Sequence, residues 1–256
     1  MPFEAELAAA LRWLDATDPI ALSSFGGAVA TETKPDGTPV TVADRAVEEA
    51  LREAVARDFP GDGVLGEEGG AAAGSGGRRW IVDPIDGTKN YARGIPVFAT
   101  LIALEDSGGL AVGLVSAPAL RTRWWAVRGG GAFRDGAPIM VSGVADLAQA
   151  DVCSGGLDWA RSTGHAERLW SLLGRTRRHR GFGDFWGYML VAQGSLEVMV
   201  EFAPLALWDI AAPRIIVEEA GGRWTGPAGE AAPAAGAALA TNGVLHDEVL
   251  AVLGGA

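Results

Sequence analysis

The segment of residues 80–90 constrains the fold of this chain more than any other stretch. It reads Trp-Ile-Val-Asp-Pro-Ile-Asp-Gly-Thr-Lys-Asn. Because Pro84 cannot continue a helix from the residues before it, the apolar run is predicted to form a strand that ends at Asp83. A turn over residues 84–87 and a helix that begins at Thr88 are predicted to follow. The segment therefore requires a sheet with a helix at the end of one of its strands.

The same segment predicts a site for a cation and a phosphate. The turn would point Asp86 back toward Asp83, and two carboxylates that converge raise each other's pKa unless a cation neutralises them. Hard oxygen ligands of this kind suit Mg²⁺ or Mn²⁺. Gly87 and Thr88 open a helix whose unpaired N–H groups would attract a phosphate. The alternative is that Asp-Pro and Asp-Gly are common turn dipeptides and Asp86 only caps the helix.

Composition and charge narrow the class of protein. The chain has 256 residues, 48% hydrophobic and 21% charged, so it can form one large domain or two tightly joined lobes. Its net charge of -11 argues against nucleic acid as a partner. No stretch approaches the roughly 18 to 20 apolar residues of a membrane span, and the acidic start is unlike a signal peptide. We therefore expect a cytoplasmic protein with no membrane or nucleic-acid partner.

The periodicity of apolar residues divides the chain into two parts with different predicted secondary structure. An antiparallel meander is predicted before about residue 145, and alternating short strands and helices after it. We therefore expect a single unit over residues 1–256, built from lobes of about 1–145 and 146–256 on one continuous core. The run of Gly, Ala and Ser over 69–77 is predicted to be an exposed insert. The predicted helices cover 4–14, 41–56 (capped by Thr41 or Asp44), 187–193, 208–220 and 246–253, and the predicted strands 64–66, 79–83, 98–104, 110–115, 123–127, 132–133, 196–201 and 237–240.

Further acidic residues lie in separate parts of the chain. Glu67 and Glu68 form a pair between glycines, Asp44 lies at a predicted helix start, and Asp209 follows Trp208. Taken singly, each is typical of a helix cap or a solvated surface acid. Together they are candidates for the same site as the acids of segment 80–90.

The remaining reactive side chains are not assigned to the site. His165, His179 and His246 lie outside these motifs and are predicted to be surface residues, which disfavours a phosphohistidine route. Cys153 is the only cysteine, so it forms no internal disulfide, and it is predicted to be a small buried residue. A structural zinc site is excluded because no Cys or His pair has ligand spacing.

Three motifs taken together resemble the inositol monophosphatase superfamily. They are the segment 83–90, Gly66-Glu67-Glu68 upstream, and the Trp-Asp-Ile-Ala-Ala sequence of residues 208–212 downstream, in the same order and at similar spacing. The resemblance extends from the loop of Lys34 to residues 241–243. It implies a Mg²⁺-dependent phosphomonoesterase with an α/β (α+β) fold, layered α-β-α-β-α, and an active site between two lobes.

The resemblance also implies a set of metal ligands. Two or three Mg²⁺ ions would act per site, with Mn²⁺ as an alternative ion. Glu67, which also counts as a catalytic residue, would hold the first ion with Asp83 and the backbone carbonyl of Ile85. Asp83 would be shared with a second ion, whose other ligands would be Asp86 and Asp209.

Further roles follow from the same resemblance. Gly87 and Thr88 would present backbone N–H groups to the phosphate. The Thr88 hydroxyl, hydrogen-bonded to Asp44, would orient the attacking water. Glu68 would support the metal ligands, and the loop of Lys34 would close over the site.

Longer stretches resemble the histidinol-phosphate phosphatase branch of that superfamily. An ester with an ammonium and an imidazole group should bind to carboxylates, and Asp184 and Glu201 are the candidates. The alternatives are a phosphatase for inositol phosphate or another sugar phosphate, and a non-catalytic regulator that binds Mg²⁺ and a phosphorylated metabolite. The resemblance also implies a homodimer. The stretches that carry it are 33–41, 61–68, 116–120, Trp124-Trp125 and 183–185.

Overall fold

The computed structural model describes residues 2–26, 31–33, 39–231 and 236–254, so Lys34 and its expected closure lie outside the described residues. Among the described helices, none is both long and apolar enough to cross a bilayer. The helices are α1 (Glu4–Ser23), α2 (Val42–Asp58), α3 (Thr88–Ala92), α4 (Leu157–Ser162), α5 (Ala166–Leu173), α6 (Asp184–Ala192), α7 (Leu207–Glu219) and α8 (His246–Gly254).

The described strands include those that the sequence predicts and several short ones that it does not. They are β1 (Thr31–Thr33), β2 (Pro39–Thr41), β3 (Gly63–Gly66), β4 (Gly70–Ala72), β5 (Arg79–Asp86), β6 (Ala99–Asp106), β7 (Gly109–Ala117), β8 (Thr122–Val127), β9 (Gly131–Arg134), β10 (Ala137–Ile139), β11 (Asp151–Ser154), β12 (Arg178–Arg180), β13 (Val198–Glu201), β14 (Arg223–Thr225) and β15 (Ala238–Thr241).

The first large sheet contains the predicted meander. Its strand order is β10-β9-β8-β7-β6-β5-β3-β4, and every pair is antiparallel except β3 with β5. The run 69–77 is exposed, as predicted, but its residues 70–72 form the edge strand β4 on β3. Small side chains allow this because an edge strand needs only backbone hydrogen bonds on one side.

The second sheet is mixed and comes from the later part of the chain. Its order is β12-β11-β13-β15-β14, in which β11 runs parallel to β12 and β13, and β15 runs antiparallel to its two neighbours. All strands of the first sheet precede residue 140, and all strands of the second follow residue 150. The boundary between lobes near residue 145 stays a prediction.

Alternation of apolar residues along the strands gives each sheet two covered faces. Along β13, Val198 and Val200 pack in a cluster with α4, α5 and α8, whereas Met199 packs with α6 and α7. Along β6, Ile102 packs in the cluster of α1 and α2, and Leu101 faces α6 and α7. The layers are therefore α1/α2, first sheet, α6/α7, second sheet and α4/α5/α8. The predicted α-β-α-β-α arrangement is confirmed.

The strand before the acidic turn is longer than the sequence predicts. β5 continues through Pro84 to Asp86, and its register against β6 shifts between Asp83 and Asp86. A bulge of this kind accommodates a proline, which cannot donate to the ladder. The hydroxyl of Thr100 on β6 donates to the Pro84 carbonyl at 2.8 Å. The prediction of a simple turn over 84–87 was wrong, but α3 does begin at Thr88.

Helices α1 and α2 frame the first sheet from outside. α2 begins with the capping box that the sequence suggests, in which Thr41 and Asp44 bond each other's backbone N–H. α1 runs to Ser23 through Pro19, well beyond the predicted end at 14. Contacts outside the helix stabilise this extension: the Tyr91 hydroxyl donates to the Ala21 carbonyl at 2.8 Å.

His246 is buried, which corrects the prediction that it is a surface residue. Its side chain lies between Thr225 and Thr241, with Nε2 at 3.0 Å and Nδ1 at 2.9 Å from the two hydroxyls. The Thr225 hydroxyl donates to the Gly226 carbonyl, so it accepts from Nε2–H, and Nδ1 accepts from Thr241. Burial, with Arg223 nearby, lowers the pKa of His246 to about 4. The neutral imidazole is thus the form that fits the fold.

This burial makes a prediction for acid stability. The folded pKa lies below the unfolded value, so the free energy of unfolding should fall as pH drops from about 6.5 toward 4, by about 3 kcal/mol from this group. His246→Gln should remove that part of the pH dependence, whatever its effect at pH 7. Urea titrations of both proteins from pH 7.5 to 4.5 measure the difference. Parallel curves for the two proteins would contradict the buried neutral imidazole.

Candidate active site

A cleft of about 590 Å³ lies where residues of both sheets meet the starts of α3, α6 and α7. It contains most of the residues that the sequence singles out, although they are far apart in the chain. Asp44 and Glu68 do not line it. The predicted residues that line the cleft are Glu67, Asp83, Ile85, Asp86, Gly87, Thr88, Asp184, Glu201 and Asp209.

Three carboxylates that line this cleft converge on one point. One oxygen each of Asp83, Asp86 and Asp209 lies within 4.8 Å of the other two. The bulge in β5 brings the first two acids together, and the first turn of α7 supplies the third. The Ala206 N–H donates to Asp209 Oδ2 at 2.6 Å, which fixes this side chain at the helix start.

The negative charges of this cluster are buried and repel one another, and both effects raise the pKa values of its carboxyl groups. Burial first, and then Glu67 and the neighbouring aspartates, raise the pKa of Asp83 well above its ordinary value. Burial and Asp184, followed by Asp209, act in the same direction on the pKa of Asp86. Burial raises the pKa of Asp209 to about 7. A bound cation would relieve these costs.

The donor atoms fit a hard divalent cation. Asp83 is 2% exposed, and its Oδ1 has no hydrogen-bond partner among the described residues. A buried carboxylate oxygen without a partner is costly unless a ligand binds it. The other atoms in reach are also carboxylate and carbonyl oxygens, which Mg²⁺ and Mn²⁺ prefer.

The proposed capping role of Asp86 is not what the structure shows. The residue before α3 is Gly87, with φ of 80°, and the N-terminus of this helix has no side-chain cap. Asp86 Oδ2 instead accepts from the Phe185 N–H at the start of α6, at 2.7 Å. Asp86 therefore joins the first sheet to the layer of α6 and α7 and leaves its other oxygen toward the cluster.

Gly87 and Thr88 lie beside these acids at the start of α3. A Cβ on Gly87 would approach the Val97 carbonyl to 3.0 Å, and its φ is in the left-handed region that glycine favours. Because α3 has only five residues, its dipole is small, and phosphate binding would depend on individual N–H groups. Phosphate binding here stays a prediction.

Asp44 and Thr88 meet behind the acid cluster. Asp44 Oδ2 accepts from the Thr41 N–H at 2.8 Å and from the Thr41 hydroxyl at 2.5 Å. Its Oδ1 faces the Thr88 hydroxyl at 3.4 Å, while that hydroxyl is 2.9 Å from the Ile85 carbonyl. A hydroxyl has one hydrogen, so it donates to one of these two acceptors at a time. Burial raises the pKa of Asp44.

Glu48 positions the loop of Glu67, and sequence reasoning missed it. Its buried carboxylate accepts from the N–H groups of Glu68 and Gly69, both at 2.7 Å, and pairs with Arg52 at 2.7 Å. The sequence does contain a pattern that could have identified Glu48. Asp44, Glu48 and Arg52 are spaced four residues apart, so they share one face of α2, the face that carries Asp44.

Two further carboxylates line the cleft besides the acid cluster, Asp184 and Glu201. Asp184, the first residue of α6, has φ of 49° and accepts from the Asn90 amide at 3.2 Å. Glu201 ends β13 and accepts from the N–H groups of Phe202 and Ala203 at 2.9 and 3.1 Å. Burial raises the pKa of Asp184 to about 6 and that of Glu201 to about 7. Both predicted substrate residues therefore face the same cleft as the acid cluster.

Other lining residues add charge and aromatic surface. Asp158 and Trp159 of α4 line the cleft with Phe182 and Tyr188, and among the described lining residues Lys89 carries the only positive charge. The described lining is thus strongly acidic. Trp159 is thus the tryptophan whose ring could stack on a ligand, whereas Trp124, Trp125 and Trp186 pack with other aromatic rings.

Comparisons with known proteins agree with this fold. The sequence profile of the Inositol monophosphatase family matches residues 6–254. The chain is 51% identical over 252 residues to a protein named histidinol-phosphatase from Mycobacterium tuberculosis, with 96% of each chain covered. It is 48% identical over 249 residues to a histidinol-phosphatase from Streptomyces coelicolor, with 93% of each covered. The fold is similar to that of an IMPase from Thermotoga maritima, with a TM-score of 0.89, 32% identity and coverage of 97% of this chain and 96% of that one. The chain therefore belongs to the inositol monophosphatase family of phosphoric monoester hydrolases.

Proposed function

We propose that this protein is a Mg²⁺-dependent phosphatase that hydrolyses L-histidinol phosphate to L-histidinol and phosphate. The observation that supports this most is the charge of the cleft. Its cluster of Asp83, Asp86 and Asp209 suits a metal cation, and the two further acids, Asp184 and Glu201, suit the ammonium and imidazole of the alcohol. The names of the relatives with 51% and 48% identity point to the same ester.

The acid cluster and Glu67 would hold the metal ions. Glu67, Asp83 and the Ile85 carbonyl would bind one Mg²⁺, and Asp83, Asp86 and Asp209 a second. When bound, such ions lower the pKa of water and offset charge on the ester oxygens. The chain itself supplies the fixed ligand geometry, because the bulge, the α7 cap and the Asp86–Phe185 hydrogen bond each fix one carboxylate.

The remaining residues would orient the reacting groups. Donation of the Thr88 hydrogen to Asp44 leaves the Thr88 oxygen free to accept from a water and to orient that water toward phosphorus. Gly87 and Thr88 would bind phosphate oxygens through backbone N–H groups. No covalent phosphoenzyme is required in this scheme.

The test is a comparison of esters with purified protein. Phosphate release with Mg²⁺ would be measured from L-histidinol phosphate, inositol 1-phosphate, fructose 1,6-bisphosphate and 3′-phosphoadenosine 5′-phosphate, with EDTA as control. We expect kcat/KM to be at least about a hundredfold higher for histidinol phosphate, since two charged contacts are lost with the other esters. Equal or faster turnover of inositol phosphate would reject this substrate. No release from any ester would favour the non-catalytic alternative.

Asp184→Asn should separate recognition of the alcohol from the chemistry. The amide keeps the shape and can still accept from Asn90, but it loses the charge that attracts a cation. We expect kcat/KM for histidinol phosphate to fall about tenfold or more, and that for inositol 1-phosphate by less than threefold. Glu167→Gln, at an exposed position of α5 outside the cleft, controls for the loss of one negative charge. Equal losses on both esters would remove Asp184 from substrate recognition.

We also propose that the protein acts as a homodimer in the cytoplasm. Support comes from the apolar side chains exposed on the later half of the chain, among them Trp170 at 54% and Phe182 at 55% exposed. Light scattering at micromolar concentration tests the dimer. A monomeric mass would reject it.

A further inference from the structure

The Tyr188 hydroxyl is buried in the cleft without a partner. Tyr188 is 2% exposed, and its hydroxyl has no hydrogen bond to any residue that the structure describes. It lies on α6, one turn after Asp184, and lines the same cleft. A buried hydroxyl without a partner is uncommon in folded proteins because it loses its bonds to water. A ligand in the cleft would supply the missing partner.

The ring of Tyr188 is held in place, so the hydroxyl cannot turn to solvent. It packs on Trp224 with ring centroids 4.6 Å apart and planes at 35°. Both rings belong to the core cluster between the two sheets. The apolar part of the side chain therefore serves the core, and phenylalanine could replace it with the same packing. The hydroxyl is the part that has no structural role.

The groups around this hydroxyl indicate what it would bind. Burial and the negative charges of Glu201, Asp86 and Asp209 raise the pKa of Tyr188, so the phenol keeps its proton. Ionised carboxylates only accept hydrogen bonds, whereas a phenol both donates and accepts. A basic nitrogen matches this combination. An ammonium donates to the phenol oxygen and to a carboxylate, and an imidazole can also accept the phenol hydrogen.

We propose that Tyr188 is a substrate-binding residue whose hydroxyl, beside Glu201, contacts a nitrogen in the alcohol part of the ester and thereby selects amino-alcohol phosphates over polyol phosphates. The proposal rests on the proposed function and adds a residue to it. The contact would lie beside Glu201, which is itself a candidate for binding the alcohol.

Tyr188→Phe is the test, because it removes only the hydroxyl. We expect KM for histidinol phosphate to rise about tenfold with kcat changed less than threefold, and kcat/KM for inositol 1-phosphate to stay within twofold. O-phosphoethanolamine, which has only the ammonium, and 3-(imidazol-4-yl)propyl phosphate, which has only the imidazole, identify the nitrogen. The ester that shares the loss carries the contacted group. Either result supports the proposal.

Stability provides an independent readout. Loss of an unpaired buried hydroxyl should leave Tm of the substrate-free protein unchanged or raise it by about 2–4 °C. The other tyrosine offers a matched control, since the Tyr91 hydroxyl is bonded to Ala21 and does not line the cleft. Tyr91→Phe should lower Tm and leave the ratio of kcat/KM between esters unchanged.

Several outcomes would overturn the proposal. They are an unchanged KM for histidinol phosphate in Tyr188→Phe, an equal loss on inositol 1-phosphate, or a fall in Tm as large as that of Tyr91→Phe. If the unmodified protein prefers histidinol phosphate and Tyr188→Phe keeps its KM, only this inference fails. If the unmodified protein hydrolyses only polyol phosphates, the proposed function fails as well.

Discussion

Asp83→Asn is expected to lower kcat/KM by at least about a thousandfold, because it removes the carboxylate that both metal positions would share. Asp83 is the most buried of the three converging aspartates, at 2% exposed, and the only one of them with a fully buried oxygen that lacks a hydrogen-bond partner among the described residues. The amide keeps the shape of the side chain but presents an N–H₂ group that cannot bind a cation.

The same substitution should have the opposite effect on stability without metal. Removing one negative charge from a buried cluster of like charges relieves repulsion, so Tm in EDTA should hold or rise. The increase in Tm on adding Mg²⁺, expected for the unmodified protein, should disappear. Phosphate release and thermal melts with and without Mg²⁺ measure both effects.

Asp151→Asn is a matched control for this experiment. Asp151 is also 2% exposed, but it lies outside the cleft and pairs with Arg177 and Arg178. Its loss should lower Tm and leave the Mg²⁺-induced shift in place, because the metal ligands are untouched. Substantial Mg²⁺-dependent turnover by Asp83→Asn would show that the metal site lies elsewhere.

Local sequence was sufficient for the acid pair on β5 but not for its geometry. Asp83 and Asp86 are three residues apart around a proline, so their proximity followed from backbone constraints within one short segment. That β5 continues through Pro84 depends on β6, whose Thr100 bonds the proline carbonyl. Because Thr100 lies sixteen residues from Pro84, the pattern of apolar residues around Pro84 does not indicate this contact.

The remaining parts of the site depend on contacts between distant elements. The sequence placed Asp209 at a helix start, but its approach to Asp83 requires α7 to pack between two sheets. The sequence around Glu48 is that of an ordinary surface acid on a helix, whereas its carboxylate in fact accepts a hydrogen bond from the loop of Glu68. His246 was mispredicted for the same reason, since two threonines from other segments bury it.

Tyr188 shows a different limit of sequence reasoning. Its apolar neighbours predict a core residue, and its ring is one. The information lies in what its hydroxyl lacks, and an absent hydrogen bond can be recognised only when every atom around it is placed. The motifs thus point to the acid cluster and to Asp184 and Glu201, whereas the unpaired Tyr188 hydroxyl can be found only in three dimensions.

Asp44→Asn is expected to lower kcat about a hundredfold while KM and the Mg²⁺ affinity stay within about threefold. Thr41 donates twice to Asp44 Oδ2, so the oxygen of the introduced amide would take that position. The amide N–H₂ would then face Thr88 and donate to the hydroxyl oxygen, which reverses the hydrogen bond and occupies the lone pair needed by the water.

Thr88 variants test whether the two residues act as one unit. Thr88→Ala should lower kcat by a similar factor, whereas Thr88→Ser keeps the hydroxyl and should retain most of the activity. The double variant Asp44→Asn/Thr88→Ala should be no slower than Thr88→Ala alone, because an orientation that depends on both groups is lost only once. Steady-state kinetics on the preferred ester measure all four proteins. If the losses in the double variant multiply, Asp44 and Thr88 act separately. Asp44 would then serve only to cap the start of α2, and Asp44→Asn should lower Tm as well as kcat.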